Sequence, residues 1–110
     1  MVDVDRLKEF IRKNLRATLG LKEISTAFGK DPGDLDRAFR SVEEMTIKNY
    51  IDIKLKEKVQ QRLADGGVKG YQIARELGFY SEQSFYRWSK RVFGSSFSEL
   101  RRRIHDHPKD

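Results

Sequence analysis

The chain carries an internal repeat, and this feature constrains its fold more than any other. Residues of similar character recur 50 positions apart in seven pairs. The pairs are Asp31 and Ser81, Leu35 and Phe85, Arg37 and Arg87, Arg40 and Lys90, Thr46 and Ser96, Ile47 and Phe97, and Tyr50 and Leu100. Nearer the start of each copy the offset is 49, as for Ile24 and Ile73, because the second copy has one additional residue near Phe79–Tyr80. The chain therefore holds two similar units.

Apolar residues recur at helical spacing throughout, no stretch has the alternation of a strand, and only two prolines occur. We predict an all-α fold of seven helices. The apolar stripes of the helices, in chain order, are Leu7, Phe10, Ile11 and Leu15; Leu21, Ile24, Ala27 and Phe28; Leu35, Ala38, Phe39 and Val42; Ile47, Tyr50, Ile51, Leu55, Val59 and Leu63; Val68, Ile73, Ala74 and Leu77; Phe85, Trp88 and Val92; and Leu100 and Ile104.

Capping residues and glycines set the predicted ends of these helices. The predicted N-caps are Asp3 or Asp5, Asp31 followed by Pro32, Thr46, Ser81, and Ser96 with its capping-box partner Glu99, and the predicted stops are Leu19-Gly20, Gly29, Gly66-Gly67, Gly78 and Gly94. The first helix is expected near 4–17, and the fourth, which joins the two units, over roughly 47–64.

Each unit consists of a short helix, a turn that contains glycine, an N-cap and a longer helix, which is the layout of a helix-turn-helix. We predict a first helix-turn-helix subdomain over 1–52, the remainder of the linker helix over 53–64, and a second helix-turn-helix subdomain with a frayed tail over 65–110.

The excess positive charge lies wholly in the second half of the chain. The 110 residues include 23 Lys and Arg against 17 Asp and Glu, a net charge of +6. Residues 1–52 hold ten of each sign, whereas residues 53–110 hold thirteen basic and seven acidic residues. Such asymmetry indicates a partner that is a polyanion, either nucleic acid or an anionic membrane. The polar face of the first helix mixes both signs, which does not favour a membrane surface.

Other chemistry finds little support in the sequence. Cysteine is absent, and there is no Gly-rich phosphate loop or Ser/His/Asp arrangement. His105 and His107 form an HxH pair in the tail, which without a third ligand is a weak metal site. No window of 18 apolar residues and no secretory signal is present. We therefore expect no enzymatic activity, no catalytic residues, no cofactor and no metal, and we expect the protein to be cytoplasmic.

Two stretches resemble the DNA-binding region of AraC/XylS-type transcription regulators, and together they cover roughly residues 5–104. The stretch in the second unit is Ile73-Ala74-x3-Gly78-Phe79-x5-Phe85-x-Arg87-x5-Phe93-Gly94-x-Ser96-x3-Leu100-Arg101. The stretch in the first unit is Ile24-x4-Gly29-x-Asp31-x3-Leu35-x-Arg37-x-Phe39-Arg40-x5-Thr46-x3-Tyr50-Ile51. The resemblance implies two helix-turn-helix subdomains whose recognition helices enter successive major-groove segments of double-stranded DNA.

The chain departs from the family pattern at four places. Ser89, beside Trp88, replaces the usual Phe of the second recognition helix, Phe97 replaces a Pro, Glu44 replaces a Gly, and Ser25 replaces an Ala. These departures affect local packing and leave the predicted fold unchanged.

The resemblance places the outward positions of the recognition helices against DNA. The predicted base contacts are Glu82, Gln83, Tyr86, Arg87 and Arg37. The predicted phosphate contacts are Arg40, Ser81, Lys90, Arg91 and Ser96. Arginine pairs with guanine, glutamine with adenine, and a glutamate accepts from the N4 amino group of cytosine. The first unit offers Gly33, Asp34 and Asp36 at the corresponding positions, so we expect the second unit to dominate binding.

The alternative function is a helical interaction module, or adaptor, that docks an acidic partner. The position of the positive charge separates the two functions. A basic face at Arg87, Lys90 and Arg91 favours DNA, whereas charge spread around the linker helix favours an adaptor; the linker cations are Lys54, Lys56, Lys58 and Arg62. For the DNA-binding function we name RNA polymerase as a further partner and expect the chain to bind DNA as a monomer.

Overall fold

The computed structural model describes the backbone of residues 2–106 and the side chains of residues 2–104. Over this range the chain forms seven α-helices and no strand. The helices are α1 (Val4–Lys13), α2 (Leu21–Phe28), α3 (Pro32–Glu43), α4 (Ile47–Ala64), α5 (Gly70–Glu76), α6 (Glu82–Phe93) and α7 (Phe97–Asp106). The predicted all-α fold is confirmed. Within residues 2–106, none of the helices is both long and apolar enough to span a bilayer.

The chain divides between Lys54 and Leu55 into two compact units, which we call unit 1 and unit 2. Unit 1 contains α1, α2, α3 and the first part of α4, and α3 packs against both α1 and α2. Unit 2 contains the rest of α4 with α5, α6 and α7, and α6 packs against both α5 and α7. In each unit the longer helix of the helix-turn-helix therefore lies at the centre of the contacts.

Helix α1 begins where predicted and ends four residues early. The Asp3 carboxylate caps it by accepting the backbone N–H groups of Asp5 and Arg6 at 3.1 and 3.2 Å. The predicted extent of 4–17 is wrong, because Asn14 leaves the helical conformation at φ −115° and ψ 21°. Its side-chain amide donates to the Phe10 carbonyl at 2.9 Å, so a short polar side chain takes over a carbonyl at the helix end.

The turn between α2 and α3 forms as predicted. Gly29 closes α2 in the left-handed conformation at φ 61°. Asp31 caps α3 by accepting the Gly33 N–H at 3.0 Å, and Pro32 occupies the first turn, where its missing N–H costs nothing. In the core of unit 1, Leu35 and Phe39 are fully buried.

The sequence predicts that Val42 continues the apolar stripe of α3. This prediction is wrong, since Val42 is 62% exposed. The neighbouring Glu43 is half-buried and pairs with Lys8 of α1. This ion pair raises the pKa of the Lys8 ammonium, chiefly through its hydrogen bond to Glu43. At this end of α3 the contact with α1 is thus polar.

Helix α4 has the predicted extent, and the Thr46 hydroxyl caps it by accepting the Asn49 N–H at 3.1 Å. Its predicted apolar stripe is buried along its whole length, at Ile47, Tyr50, Ile51, Leu55, Val59 and Leu63. A single helix thus contributes core residues to both units.

Unit 2 is built around an aromatic cluster on α6. Phe85 is fully buried, and its ring lies 5.2 Å from that of Phe79 and 5.3 Å from that of Phe97 (centroid to centroid). Phe97, which stands where the family has a proline, is therefore a core residue. Gly94 ends α6 in the left-handed conformation at φ 73°, as predicted.

The replacement of the family's phenylalanine by Ser89 is compensated by its neighbour. Trp88 is only 8% exposed and lies 5.3 Å from the Phe79 ring and 6.1 Å from the Phe93 ring. Aromatic volume has thus moved by one position along α6. Ser89 is also fully buried, and its hydroxyl has no hydrogen-bond partner among the described residues.

Glu44 is the one described non-glycine residue with a positive φ, 59°, and it occupies the C-cap of α3. Gly94 holds the matching position 50 residues later. Because a side chain costs about 1–2 kcal/mol in this region and glycine recovers part of it, we expect Glu44→Gly to raise the free energy of unfolding by about 1 kcal/mol. Denaturant unfolding measures the change.

The matched control is Gly94→Ala, where an added Cβ meets no atom within 4 Å and only the backbone conformation is disfavoured. This variant should lower the free energy of unfolding by about 1 kcal/mol. If both variants shift stability in the same direction, left-handed strain is not the cause.

Candidate nucleic-acid interface

The start of α6 is fixed by reciprocal hydrogen bonds between two serines. The Ser81 hydroxyl accepts the Ser84 N–H at 3.0 Å, and the Ser84 hydroxyl accepts the Ser81 N–H at 3.1 Å. Because Phe85 and Trp88 face the core, the opposite side of the helix is left to solvent. Glu82, Gln83, Arg87 and Lys90 are all exposed there, as the helical register predicts.

A groove of about 680 Å³ lies in unit 2 between the starts of α5, α6 and α7. It is lined by Lys69, Gly70, Tyr71, Glu82, Tyr86, Arg87, Lys90, Ser96, Phe97, Ser98 and Arg101. Five of the predicted contact residues are thus brought together: Glu82, Tyr86, Arg87, Lys90 and Ser96. Ser81, Gln83 and Arg91 are exposed but do not line the groove.

The groove is strongly cationic. Four of its lining residues are basic and one is acidic. Arg87 and Lys90 make no ion pair with any residue in the described part of the chain, so both remain available to an anion. The Ser96 hydroxyl accepts the Glu99 N–H at 3.2 Å and so caps α7, whose N-terminal dipole adds positive potential at the same place.

Tyr86 is half-buried and packs inside unit 2. Its ring centroid lies 5.6 Å from both the Phe85 and the Phe97 centroids. Its hydroxyl donates to the Glu82 carboxylate one turn earlier on α6. That hydrogen bond, together with partial burial, raises the pKa of the Tyr86 hydroxyl to about 12. The hydroxyl therefore stays protonated, and remains a donor, at neutral pH.

Gly70 is the residue that makes room for this ring. A Cβ at position 70 would lie 2.4 Å from the Tyr86 hydroxyl oxygen and 2.7 Å from its Cε1. The first residue of α5 is therefore glycine because another element approaches it closely, and not because of its own backbone conformation.

The sequence alone did not single out Lys69, Gly70, Ser98 or Arg101 as parts of this surface. Two of these residues could have been found from the sequence. Ser98 lies two residues after Ser96, the cap of α7, and Arg101 ends the family motif quoted above. Lys69 and Gly70 precede a short helix, and only the packing of α5 against α6 places them beside the recognition helix.

The corresponding surface of unit 1 is smaller and less basic. A concavity of about 240 Å³ is lined by Gly33, Asp36, Arg37 and Arg40. Arg37 pairs with Asp34 at 3.0 Å, and both side chains are exposed. The repeat predicts that Asp36 points outward. Instead, its carboxylate accepts the Ile47 N–H at 2.9 Å at the start of α4. Asp36 thus has a capping role.

Three cations of the linker helix interact within their own units. Arg62 binds Glu76 in a two-pronged arrangement at 2.8 and 2.9 Å and also contacts Asp65. The ammonium groups of Lys54 and Lys56 lie 5.4 and 5.1 Å from the ring centroids of Tyr50 and Phe93. On α6, by contrast, Arg87 and Lys90 make no ion pair within the described part of the chain, which favours DNA over the adaptor.

No three metal-ligating side chains come together in the described part of the chain. The predicted weak HxH pair, His105 and His107, lies outside the residues whose side chains are described. The same is true of the frayed tail beyond residue 106.

Two helix-turn-helix units, one of which presents unpaired cations on its second helix, define a DNA-binding protein. The family model described as "Helix-turn-helix domain" matches residues 24–103. The chain belongs to this family, the helix-turn-helix transcription regulators of AraC/XylS type, and it functions in DNA-binding transcription regulation.

Three known proteins illustrate the similarity. The regulatory protein SoxS of Salmonella typhimurium is 28% identical over 103 residues, which cover 92% of this chain and 94% of SoxS. The C-terminal domain of AraT, a response regulator from Geobacillus stearothermophilus, has a TM-score of 0.83 at 21% identity and covers 91% of this chain and 84% of its own. The DNA-binding domain of the transcriptional factor AdpA, solved with a target DNA, has a TM-score of 0.80 at 16% identity and covers 94% of both chains.

Proposed function

We propose that α6 is the principal base-reading helix and that unit 2 supplies most of the affinity for duplex DNA. The observation that carries the proposal is the contrast between equivalent arginines. Arg87 is exposed in a cationic groove without an ion-pair partner in the described chain, whereas Arg37 is paired with Asp34. The Arg87 guanidinium can therefore enter the major groove of DNA without first breaking an ion pair within the protein, whereas Arg37 must give up its pair with Asp34.

Each exposed side chain of α6 matches a base or phosphate by its chemistry. Arg87 presents two donors to the O6 and N7 acceptors of guanine, Gln83 pairs with adenine, and Glu82 accepts from cytosine. The proposed phosphate contacts are Lys90, Arg91, Ser81 and Ser96 in unit 2 and Arg40 in unit 1. Arg37 adds one weaker base contact from unit 1.

The salt dependence of binding tests which unit neutralises phosphates. Each lysine or arginine that neutralises a phosphate contributes about 0.9 to the slope of log affinity against log salt. We therefore expect Lys90→Ala to weaken specific and non-specific duplexes about equally and to lower the slope by about one. Fluorescence titrations at several salt concentrations measure it.

Arg40→Ala is the matched control, because Arg40 holds the same register in unit 1. It should lower the slope by less than half as much. An unchanged slope for Lys90→Ala, or an equal loss in the two variants, would contradict the dominance of unit 2.

We further propose that the protein binds DNA as a monomer, contacts RNA polymerase, acts in the cytoplasm where duplex DNA is available, and has no enzymatic activity. Binding as a monomer is supported by the presence of two units in one chain, because a single chain then supplies two helix-turn-helix units without a second copy. Sedimentation of the complex should give one chain per duplex.

A further inference from the structure

We infer that Tyr86 is a positioning residue, which holds the Glu82 carboxylate in place to accept a hydrogen bond from the N4 amino group of cytosine. This inference rests on the proposed function, in which the first turn of α6 lies against bases. It changes the role of Tyr86 from a base contact to a residue that acts through Glu82.

The ring of Tyr86 is held on three sides. Phe85 and Phe97 flank it at 5.6 Å between centroids, and the backbone of Gly70 closes the third side so tightly that a Cβ there would overlap the ring. These neighbours limit the movement of the ring, and in the packed position its hydroxyl donates to the Glu82 carboxylate.

The Glu82 carboxylate is the acceptor for that donor. Glutamate in the first turn of a helix is otherwise a mobile, exposed side chain, and fixing it on binding costs conformational entropy. Because the tyrosine already restrains it, part of this cost is met in the free protein. Only one of the carboxylate's lone pairs is used, so the others remain directed to solvent.

A restrained carboxylate discriminates among bases by its charge. In the major groove, guanine presents only acceptors and thymine presents a carbonyl and a methyl group, so both are unfavourable next to a carboxylate. Adenine presents a donor beside an acceptor, whereas cytosine presents a donor alone. Cytosine is therefore the base that this arrangement selects.

Selection of binding sites from random duplex DNA tests the inference. The parent protein should select cytosine at one position, and Glu82→Ala should remove that preference. Tyr86→Phe, which keeps the ring, should lower the cytosine preference about threefold to tenfold. Glu82→Gln, an exposed and conservative change, should move the preference toward adenine.

A double-mutant cycle separates positioning from a merely structural role. If Tyr86 acts through Glu82, Tyr86→Phe should change nothing further in the Glu82→Ala background. Thermal melts of all variants establish that they are folded.

The inference is overturned if folded Tyr86→Phe leaves the cytosine preference intact, if its effect persists without Glu82, or if the parent selects no cytosine at a position sensitive to residue 82. Arg87→Ala, measured in parallel, distinguishes these failures from failure of the proposed function. If Arg87→Ala relaxes one position while the residue-82 and residue-86 variants relax none, base reading by α6 stands and only the positioning role is lost.

Discussion

Replacing Arg87 with alanine should leave the protein folded but remove its preference for guanine at one position of its binding site. The side chain is exposed on α6, lines the cationic groove of unit 2 and has no ion-pair partner in the described chain. A guanidinium that bonds both O6 and N7 of guanine contributes about 1–3 kcal/mol of discrimination, or roughly fivefold to 150-fold in affinity. Site selection with parent and variant measures this change.

Arg37→Ala is the matched control, since Arg37 occupies the same register in unit 1 but is paired with Asp34. Its effect on the selected sequence should be smaller. A consensus that is the same for parent and Arg87→Ala at every position would show that Arg87 does not read a base.

The largest effect on stability is expected from Phe85→Ala. Phe85 is fully buried and contacts the rings of Phe79, Trp88 and Phe97. Removing a buried phenylalanine side chain costs about 3–5 kcal/mol, through lost burial and the cavity left behind. Since small domains are stable by only about 5–15 kcal/mol, the variant should lose a large fraction of its stability and unfold at a markedly lower temperature.

Tyr80→Ala provides the comparison within the same unit, because Tyr80 is 91% exposed. Its free energy of unfolding should change by less than about 0.5 kcal/mol. Calorimetry or denaturant unfolding measures both variants, and a loss below about 1 kcal/mol for Phe85→Ala would contradict the assignment of the aromatic cluster as the core of unit 2.

Most of the fold could be predicted from sequence because its signals are local. The extent of α4 and the caps at Asp31, Thr46 and Ser81 depend on residues within a few positions of one another. The predicted end of α1 is wrong because the prediction followed the apolar spacing to Leu15, whereas Asn14 caps the helix one turn earlier. The predicted burial of Val42 is wrong because burial depends on which neighbouring helix covers that face of α3.

The site was predictable where exposure follows helical register and unpredictable where it depends on packing between helices. Register alone places Gln83, Arg87 and Lys90 on the outer side of α6. The contact of Tyr86 with Gly70 joins α6 to the start of α5, and no spacing rule reveals it. The capping of α4 by Asp36 likewise joins residues 11 positions apart.

Site selection from random duplex DNA with the parent protein, followed by titration of the selected site at several salt concentrations, tests the central claim that unit 2 leads recognition. The result we expect is a site with one strongly specified major-groove segment, containing the position that Arg87→Ala relaxes, and a second, weakly specified segment. Equal specification of both segments, or a strong segment insensitive to Arg87→Ala, would contradict the claim.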